Sequence, residues 1–292
     1  MSNYREHEHR LANGTLNVAI GPDHGPPLVL LHGVTRRWQC LLPVIDALSS
    51  RWQVFAVDLP GHGRSSFHCD PYTVACYADV IHEWMRERFS SPAVVYGHSL
   101  GAMLAAEVAG RPDALVGAAI LEDPPFHTMG HNIARTPLLS YFQGLLPFAG
   151  RSTDNMRAFV EDLAQVPLTD PRTGQVSLLG ASRSAAALRF MASCLSRLPR
   201  GVLEPIVRSA WLDGYDLTAV ADRLRVPTLL LQADATMGGM LTDADARLLT
   251  ERADDVLCLR RAGVGHQMHW ADPTWLTGEV TLFLESLPWR QG

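Results

Sequence analysis

The chain has 292 residues, 47% of them hydrophobic and 19% charged, which allows one large core with an insertion and excludes a disordered, collagen-like or coiled-coil chain. Its 25 Lys plus Arg against 30 Asp plus Glu leave a formal charge of −5 with no run of like charge, so the basic stripe of a nucleic-acid binder and the polybasic cluster of a membrane anchor are both missing. The polar segment Met1 to Arg10 has no signal-peptide core, no window is apolar enough to span a bilayer, and five cysteines without C-x-x-C spacing argue against a disulfide framework or zinc site.

The expectation from these numbers is a cytoplasmic protein with reduced thiols and no nucleic-acid or membrane partner. A homodimer is left open.

Leu16 to Ile20 and Leu28 to Leu31 read as short strands joined by a Gly/Pro-rich loop, followed by a strand at Val54 to Val57. Tyr72 to Phe89 has helical apolar spacing. Ala93 to Tyr96 is a strand, Leu100 to Gly110 a helix of small residues, and Ala118 to Leu121 the next strand. From Phe126 to Ala221 helical segments (Met156 to Leu163, Ser182 to Leu198, Leu203 to Leu212) follow one another with no convincing strand between them. Strand signals return at Thr228 to Gln232 and Val256 to Leu259, before a last helix from Pro273 to Leu287. Short, nearly all-apolar strands alternating with helices predict an α/β protein with a mostly parallel eight-stranded-type sheet covered by helices on both faces. The expected division is a core of residues 1–125 and 222–292, with a helical cap at 126–221.

The most informative stretch is Gly97-His98-Ser99-Leu100-Gly101, a G-x-S-x-G placed directly after a strand and before a helix. Two glycines let strand and helix approach while the serine takes a strained turn that lifts its Oγ above the sheet. On its own the pentapeptide occurs by chance. Its setting makes Ser99 a candidate nucleophile at a helix N-terminus, where developing negative charge is favoured. His32-Gly33 closes an earlier strand, so Val34 N–H could pair with Leu100 N–H as an oxyanion hole. The same glycine could merely serve a tight turn. Gly265-His266 sits late, on a loop between the last strand and last helix, which favours His266 over its neighbour His269 as general base.

Together, Ser99 in G-H-S-L-G, His32-Gly33, Asp58-Leu59-Pro60-Gly61-His62-Gly63-Arg64-Ser65 and Gly265-His266 resemble the α/β-hydrolase superfamily from about Leu16 to Leu287. The resemblance implies a serine nucleophile, a histidine base, an acid, and a cap over the site. An aspartate at the elbow would mark haloalkane dehalogenases and epoxide hydrolases, and Ser99 argues against both. In most relatives the acid follows the penultimate strand, where this chain has Thr236, with Asp234 two residues early. Thr236 cannot supply the charge that orients an imidazole. Some relatives instead carry the acid after the strand that follows the elbow helix, which here gives Glu122-Asp123-Pro124. Adjacent strand residues point to opposite faces, so only one can meet His266. Asp123 is preferred, with Glu122 the runner-up and Asp234 third.

Gly61 to Ser66 departs from a dinucleotide loop, and no H-E-x-x-H exists, so neither a cofactor nor a metal is expected. Phe142, Phe148, Phe190, Met191 and Trp211 in the insertion are typical helix-packing residues, yet a cap rich in Leu, Phe and Met suggests a hydrophobic small-molecule substrate. The leading expectation is a serine hydrolase of esters or lactones working through an acyl-enzyme. Carbon–carbon bond hydrolysis of a ketone and a non-catalytic small-molecule receptor are the alternatives.

Overall fold

The computed structural model describes residues 4–66, 69–170 and 172–287. In chain order the elements are β1 (Arg5–Leu11), β2 (Gly14–Ile20), β3 (Pro27–Leu31), α1 (Leu42–Leu48), β4 (Gln53–Val57), α2 (Val74–Arg88), β5 (Ala93–His98), α3 (Leu100–Ala109) and β6 (Val116–Glu122). Then come α4 (Phe126–Met129), α5 (Leu138–Leu145), α6 (Met156–Leu163), β7 (Pro167–Thr169), β8 (Val176–Leu178), α7 (Leu179–Ser182), α8 (Ala185–Leu195), α9 (Arg200–Val207) and α10 (Leu217–Arg223). The chain closes with β9 (Thr228–Ala233), α11 (Asp243–Arg252), β10 (Val256–Arg261), α12 (Met268–Ala271) and α13 (Pro273–Glu285).

Eight strands form one sheet in the order β1-β2-β4-β3-β5-β6-β9-β10. β1 and β2 pair antiparallel, as do β2 and β4, and the remaining neighbours are parallel. Period-two alternation sorts the strand side chains between two apolar layers. Val29, Leu31, Val95, Ala119 and Leu121 face α2, α3 and the segment between β6 and β9. Leu28, Leu30, Val94, Tyr96, Ala118 and Ile120 face α1, α12 and α13. Both layers are dry, so the strands are apolar on both faces and the sequence shows continuous runs there.

Two expectations need correction. Residues 126–221 are not purely helical, because β7 and β8 pair as an antiparallel hairpin; each is three residues long, too short to carry a periodic signal. The thiols are not all free either: Cys69 and Cys76 form a disulfide, with Cα atoms 6.1 Å apart where the chain turns into α2. A seven-residue separation matches no cysteine motif, so only the fold of this turn reveals the pair. Cys40, Cys194 and Cys258 are free. Strand β1 lies in the segment read as merely polar; it is an edge strand whose alternating charges leave no apolar face.

The segment between β6 and β9 shares one apolar cluster with the α2/α3 side of the sheet, with Phe126, Phe142, Leu163, Met191 and Trp211 all buried in it. Helix α10 packs against α3 and α11. Among the described residues, no helix is long and apolar enough to cross a membrane.

Candidate active site

Ser99 occupies the turn between β5 and α3 with φ 57° and ψ −119°, a backbone region that costs a non-glycine residue of order 1–3 kcal/mol and points to function where it is observed. The glycines on either side make the turn possible. A Cβ on Gly97 would stand 2.0 Å from Gly101 O, and one on Gly101 would stand 2.0 Å from Leu31 O. Ser99 N–H donates to Glu122 O at 3.0 Å, which locks the elbow to the end of β6. The first-turn N–H of Leu100 has no intrahelical acceptor. Gly33 lies against the elbow from the other side, since a Cβ there would be 3.1 Å from Ser99 Cβ and 3.0 Å from His98 Nδ1. Val34 is buried just beyond it. The positive φ of this loop falls on Thr35 (64°) and not on Gly33.

The structure brings His266 to Asp123. Nδ1 of His266 donates to Asp123 Oδ2 at 2.6 Å, which leaves Nε2 uncommitted among the described residues. Asp123 is fully buried and takes φ 44° just past the end of β6. Its carboxylate also accepts from Ala233 N at 3.2 Å, Leu241 N at 3.2 Å and Met240 N at 2.8 Å. Three backbone donors thus fix the position of this buried carboxylate. The loop after β9 therefore cradles Asp123 instead of supplying an acid of its own. Asp234 meets no histidine: it accepts from Thr236 N, Thr236 Oγ1 and Gly263 N, bonds that hold its pKa below the usual range and fasten the loop. Thr236 is one of its donors.

Glu122 and His269, the two runners-up, form a second pair. His269 donates from its backbone N at 3.0 Å and from Nδ1 at 2.8 Å to Glu122 Oε1, and Nδ1 is 2.8 Å from Oε2 as well. Tyr96 Oη donates to Oε2. Glu122 shares the β6 face of Ala118 and Ile120, hence the α12/α13 side of the sheet, whereas Asp123 turns to the other. Burial alone would raise the Glu122 pKa, but the nearby His269 and His98 and the His269 and Tyr96 hydrogen bonds win and bring it to about 2. The pair is buried, with the His269 and Glu122 side chains 1% and 0% exposed; His266 is 16% exposed.

His98 sits between the two pairs. Its ring centroid is 4.7 Å from that of His266 and 4.7 Å from that of His269. Nε2 donates to His266 O at 3.0 Å, so the residue before Ser99 also holds the backbone of the loop that carries His266. Desolvation keeps His98 well below its usual pKa and neutral. His98, Glu122 and His269 lie close enough for a cation, but both Glu122 oxygens and His98 Nε2 are already committed to hydrogen bonds. The sequence offered no motif for His98 beyond the variable position of G-x-S-x-G.

The D-L-P-G-H-G-R-S segment supports the site without entering it. Asp58 accepts from Asn17 Nδ2 (2.8 Å), Trp38 N (2.9 Å) and Arg64 N (3.0 Å). His62 donates from Nδ1 to Pro60 O and accepts at Nε2 from Thr35 N. His32 likewise donates to Gly33 O and accepts from Leu59 N. Burial lowers these two imidazoles to about 3 and about 4, respectively. Two neutral histidines thereby pin the loop that carries Val34 and Thr35.

A family profile described as alpha/beta hydrolase fold matches residues 26–273. A magnesium-chelatase 30 kDa subunit from Rhodobacter capsulatus is 27% identical over 279 residues, covering 92% of this chain and 90% of the relative. A pimeloyl-[acyl-carrier protein] methyl ester esterase from Chromobacterium violaceum is 33% identical over 126 residues, 41% of this chain and 48% of that one. Among solved structures, an enol-lactonase from Burkholderia xenovorans LB400 superposes with TM-score 0.71 at 18% identity, covering 96% of this chain and all of the other.

Proposed function

This chain belongs to the α/β-hydrolase fold family, and from that premise we propose that it is a serine hydrolase of esters or lactones with Ser99 as nucleophile, His266 as general base and Asp123 as the orienting acid. The observation that carries this reading is the conjunction of a strained Ser99 at a helix N-terminus with the His266–Asp123 pair at 2.6 Å. His266 Nε2 takes the Ser99 hydroxyl proton as Oγ attacks the carbonyl. The oxyanion is held by the N–H groups of Val34 and Leu100. His266 then passes its proton to the leaving alkoxide, an acyl-enzyme forms, and a water activated by the same imidazole releases the acid. Asp123 orients the ring and stabilises the imidazolium. The segment 126–221 acts as a cap whose apolar interior receives the body of the substrate.

A second reading is favoured by one observation. A sequence similarity that spans nearly all of both chains is to a protein named as a magnesium-chelatase subunit, whereas the match to the Chromobacterium violaceum esterase covers less than half of either. On that reading the chain works as such a subunit and Ser99 turnover is dispensable. The readings separate in one experiment. p-Nitrophenyl esters, an aromatic lactone and a dienone are each offered to the wild type and to Ser99→Ala. Ester or lactone turnover lost by several orders of magnitude in the variant supports the hydrolase. Dienone cleavage alone moves the chain to carbon–carbon hydrolysis, and no turnover of any substrate favours the subunit or receptor reading.

A further inference from the structure

Of the described arginines that have no carboxylate within ion-pair distance, all are exposed except Arg36 and Arg37. Both leave the loop that begins at Gly33, and Arg36 N–H donates to Gly33 O. The two guanidinium groups therefore spring from a turn whose first residue touches Ser99. Arg36 spends Nη1 on its neighbour Thr35, at 3.2 Å to Oγ1 and 3.3 Å to O, and its other donors meet no acceptor among the described residues. Arg37 lies over the ring of Phe190 on α8, 4.9 Å from its centroid, and its Nε is buried with no partner.

Helix α8 contributes Cys194, close enough for both guanidinium groups to act on its thiol, and Cys40 and His32 feel Arg36. The carboxylates in this region are engaged elsewhere: Asp58 by Asn17, Trp38 and Arg64, and Glu6 by Trp38, Gln39 and Arg64. A guanidinium carries five donors and cannot shed its proton, so a half-buried pair without counter-charge is costly unless a ligand supplies the anion. Thr35, a β-branched residue at φ 64° and buried, stores strain at the root of the same turn.

We propose that Arg36 and Arg37 bind a carboxylate of the substrate at the seam between the Gly33 loop and α8, so that the preferred ester or lactone has an apolar body and an anionic end. This inference rests on the reading of Ser99 as nucleophile and narrows its substrate class. A planar carboxylate accepts two parallel N–H donors from one guanidinium, and such charge-assisted contacts are about twice as strong as neutral ones. The neighbouring Phe190 holds Arg37 in place by cation–π contact, which reduces the ordering cost on binding.

The test compares two isosteric esters, mono-p-nitrophenyl glutarate and p-nitrophenyl 5-methylhexanoate. Wild-type kcat/KM favours the glutarate ester by about tenfold or more, with the difference carried by KM. The ratio falls to about one or below in Arg36→Gln/Arg37→Gln, and Arg36→Lys/Arg37→Lys recovers part of it. A wild-type ratio at or below one, or a ratio that the Gln variant leaves unchanged, overturns the proposal. A second measurement is independent of turnover: free glutarate raises the melting temperature of Ser99→Ala, and adding Arg36→Gln/Arg37→Gln to that variant removes the shift. If neither ester is hydrolysed but this shift is present, the nucleophile reading fails and the anion site stands. If glutarate leaves Ser99→Ala unshifted, the anion site fails.

Discussion

Two acid–histidine couples built from adjacent residues of one strand make the most instructive contrast in this molecule. Asp123–His266 and Glu122–His269 share the same chemistry and nearly the same hydrogen-bond lengths, 2.6 and 2.8 Å. They differ in where strand parity and a positive φ send them. Glu122 keeps the regular alternation of β6 and points into the dry layer beneath α12, where Tyr96 and the backbone of His269 complete its coordination. Asp123, one residue on and at φ 44°, turns to the side of the loop that carries His266. Residue type alone therefore does not distinguish the couples; exposure does, with the His266 side chain 16% exposed and that of His269 1%.

The contrast predicts opposite mutant phenotypes. The largest effect on rate is expected from Asp123→Asn, which removes the charge that orients and stabilises the imidazolium. On the proposed mechanism, kcat on a p-nitrophenyl ester falls by about three to four orders of magnitude. Glu122→Gln reverses the pattern. Its kcat stays within about tenfold of wild type, while urea denaturation shows a loss of about 1–3 kcal/mol, because buried donors of His269 and Tyr96 lose the carboxylate that accepts from them. Equal kinetic losses in both variants would dissolve the distinction.

A pH series sharpens the same comparison at smaller amplitude. The Glu122 pKa is depressed from 4.5 to about 2, so its contribution is fully present above the unfolded value and is lost as pH falls through 4.5 toward 2. That is about 3 kcal/mol at the folding equilibrium. His32 and His62 are held near 4 and 3 against an unfolded value of 6.5. The unfolded chain binds their protons first, so stability also declines as pH drops below 6.5. Stability measured between pH 7 and 3 should therefore fall throughout that range, with Glu122→Gln removing only the extra decline that sets in below pH 4.5. A decline below pH 4.5 as steep in Glu122→Gln as in the wild type would mean that the fold does not hold Glu122 in its ionised form.

The smallest effect concerns the cap. Since residues 126–221 share an apolar cluster with the sheet, kcat/KM on neutral p-nitrophenyl esters should rise modestly, about two- to tenfold, with acyl length from acetate to octanoate. Each added methylene can contribute up to about 0.8 kcal/mol when buried. A maximum at acetate would mean that the insertion is filled by its own side chains.

Much of this arrangement is legible in the sequence, and the reasons are local. Gly97, Ser99 and Gly101 announce a turn that few other residues could make. Continuous apolar runs mark the central strands, and strand parity predicts that Glu122 and Asp123 diverge. What stays hidden depends on neighbours distant in sequence. The partnership of Glu122 with His269 spans 147 residues, and nothing in either local stretch signals it. His98 occupies a position that the elbow motif leaves free, and its bond to His266 O exists only once β5 and the late loop are side by side. Strand β1 has no apolar face to betray it, and the Cys69–Cys76 disulfide follows from the path into α2. Arg36 and Arg37 look like ordinary surface charge until the fold leaves them, half-buried, with no carboxylate within ion-pair distance among the described residues.

Fluorophosphonate labelling tests the central claim most directly, because it reports the reactivity of Ser99 without any assumption about substrate. The account predicts rapid stoichiometric labelling of the wild type, none in Ser99→Ala, a rate lowered by orders of magnitude in Asp123→Asn, and a near wild-type rate in folded Glu122→Gln. Labelling that persists in Ser99→Ala, or that is lost in Glu122→Gln and retained in Asp123→Asn, would contradict it.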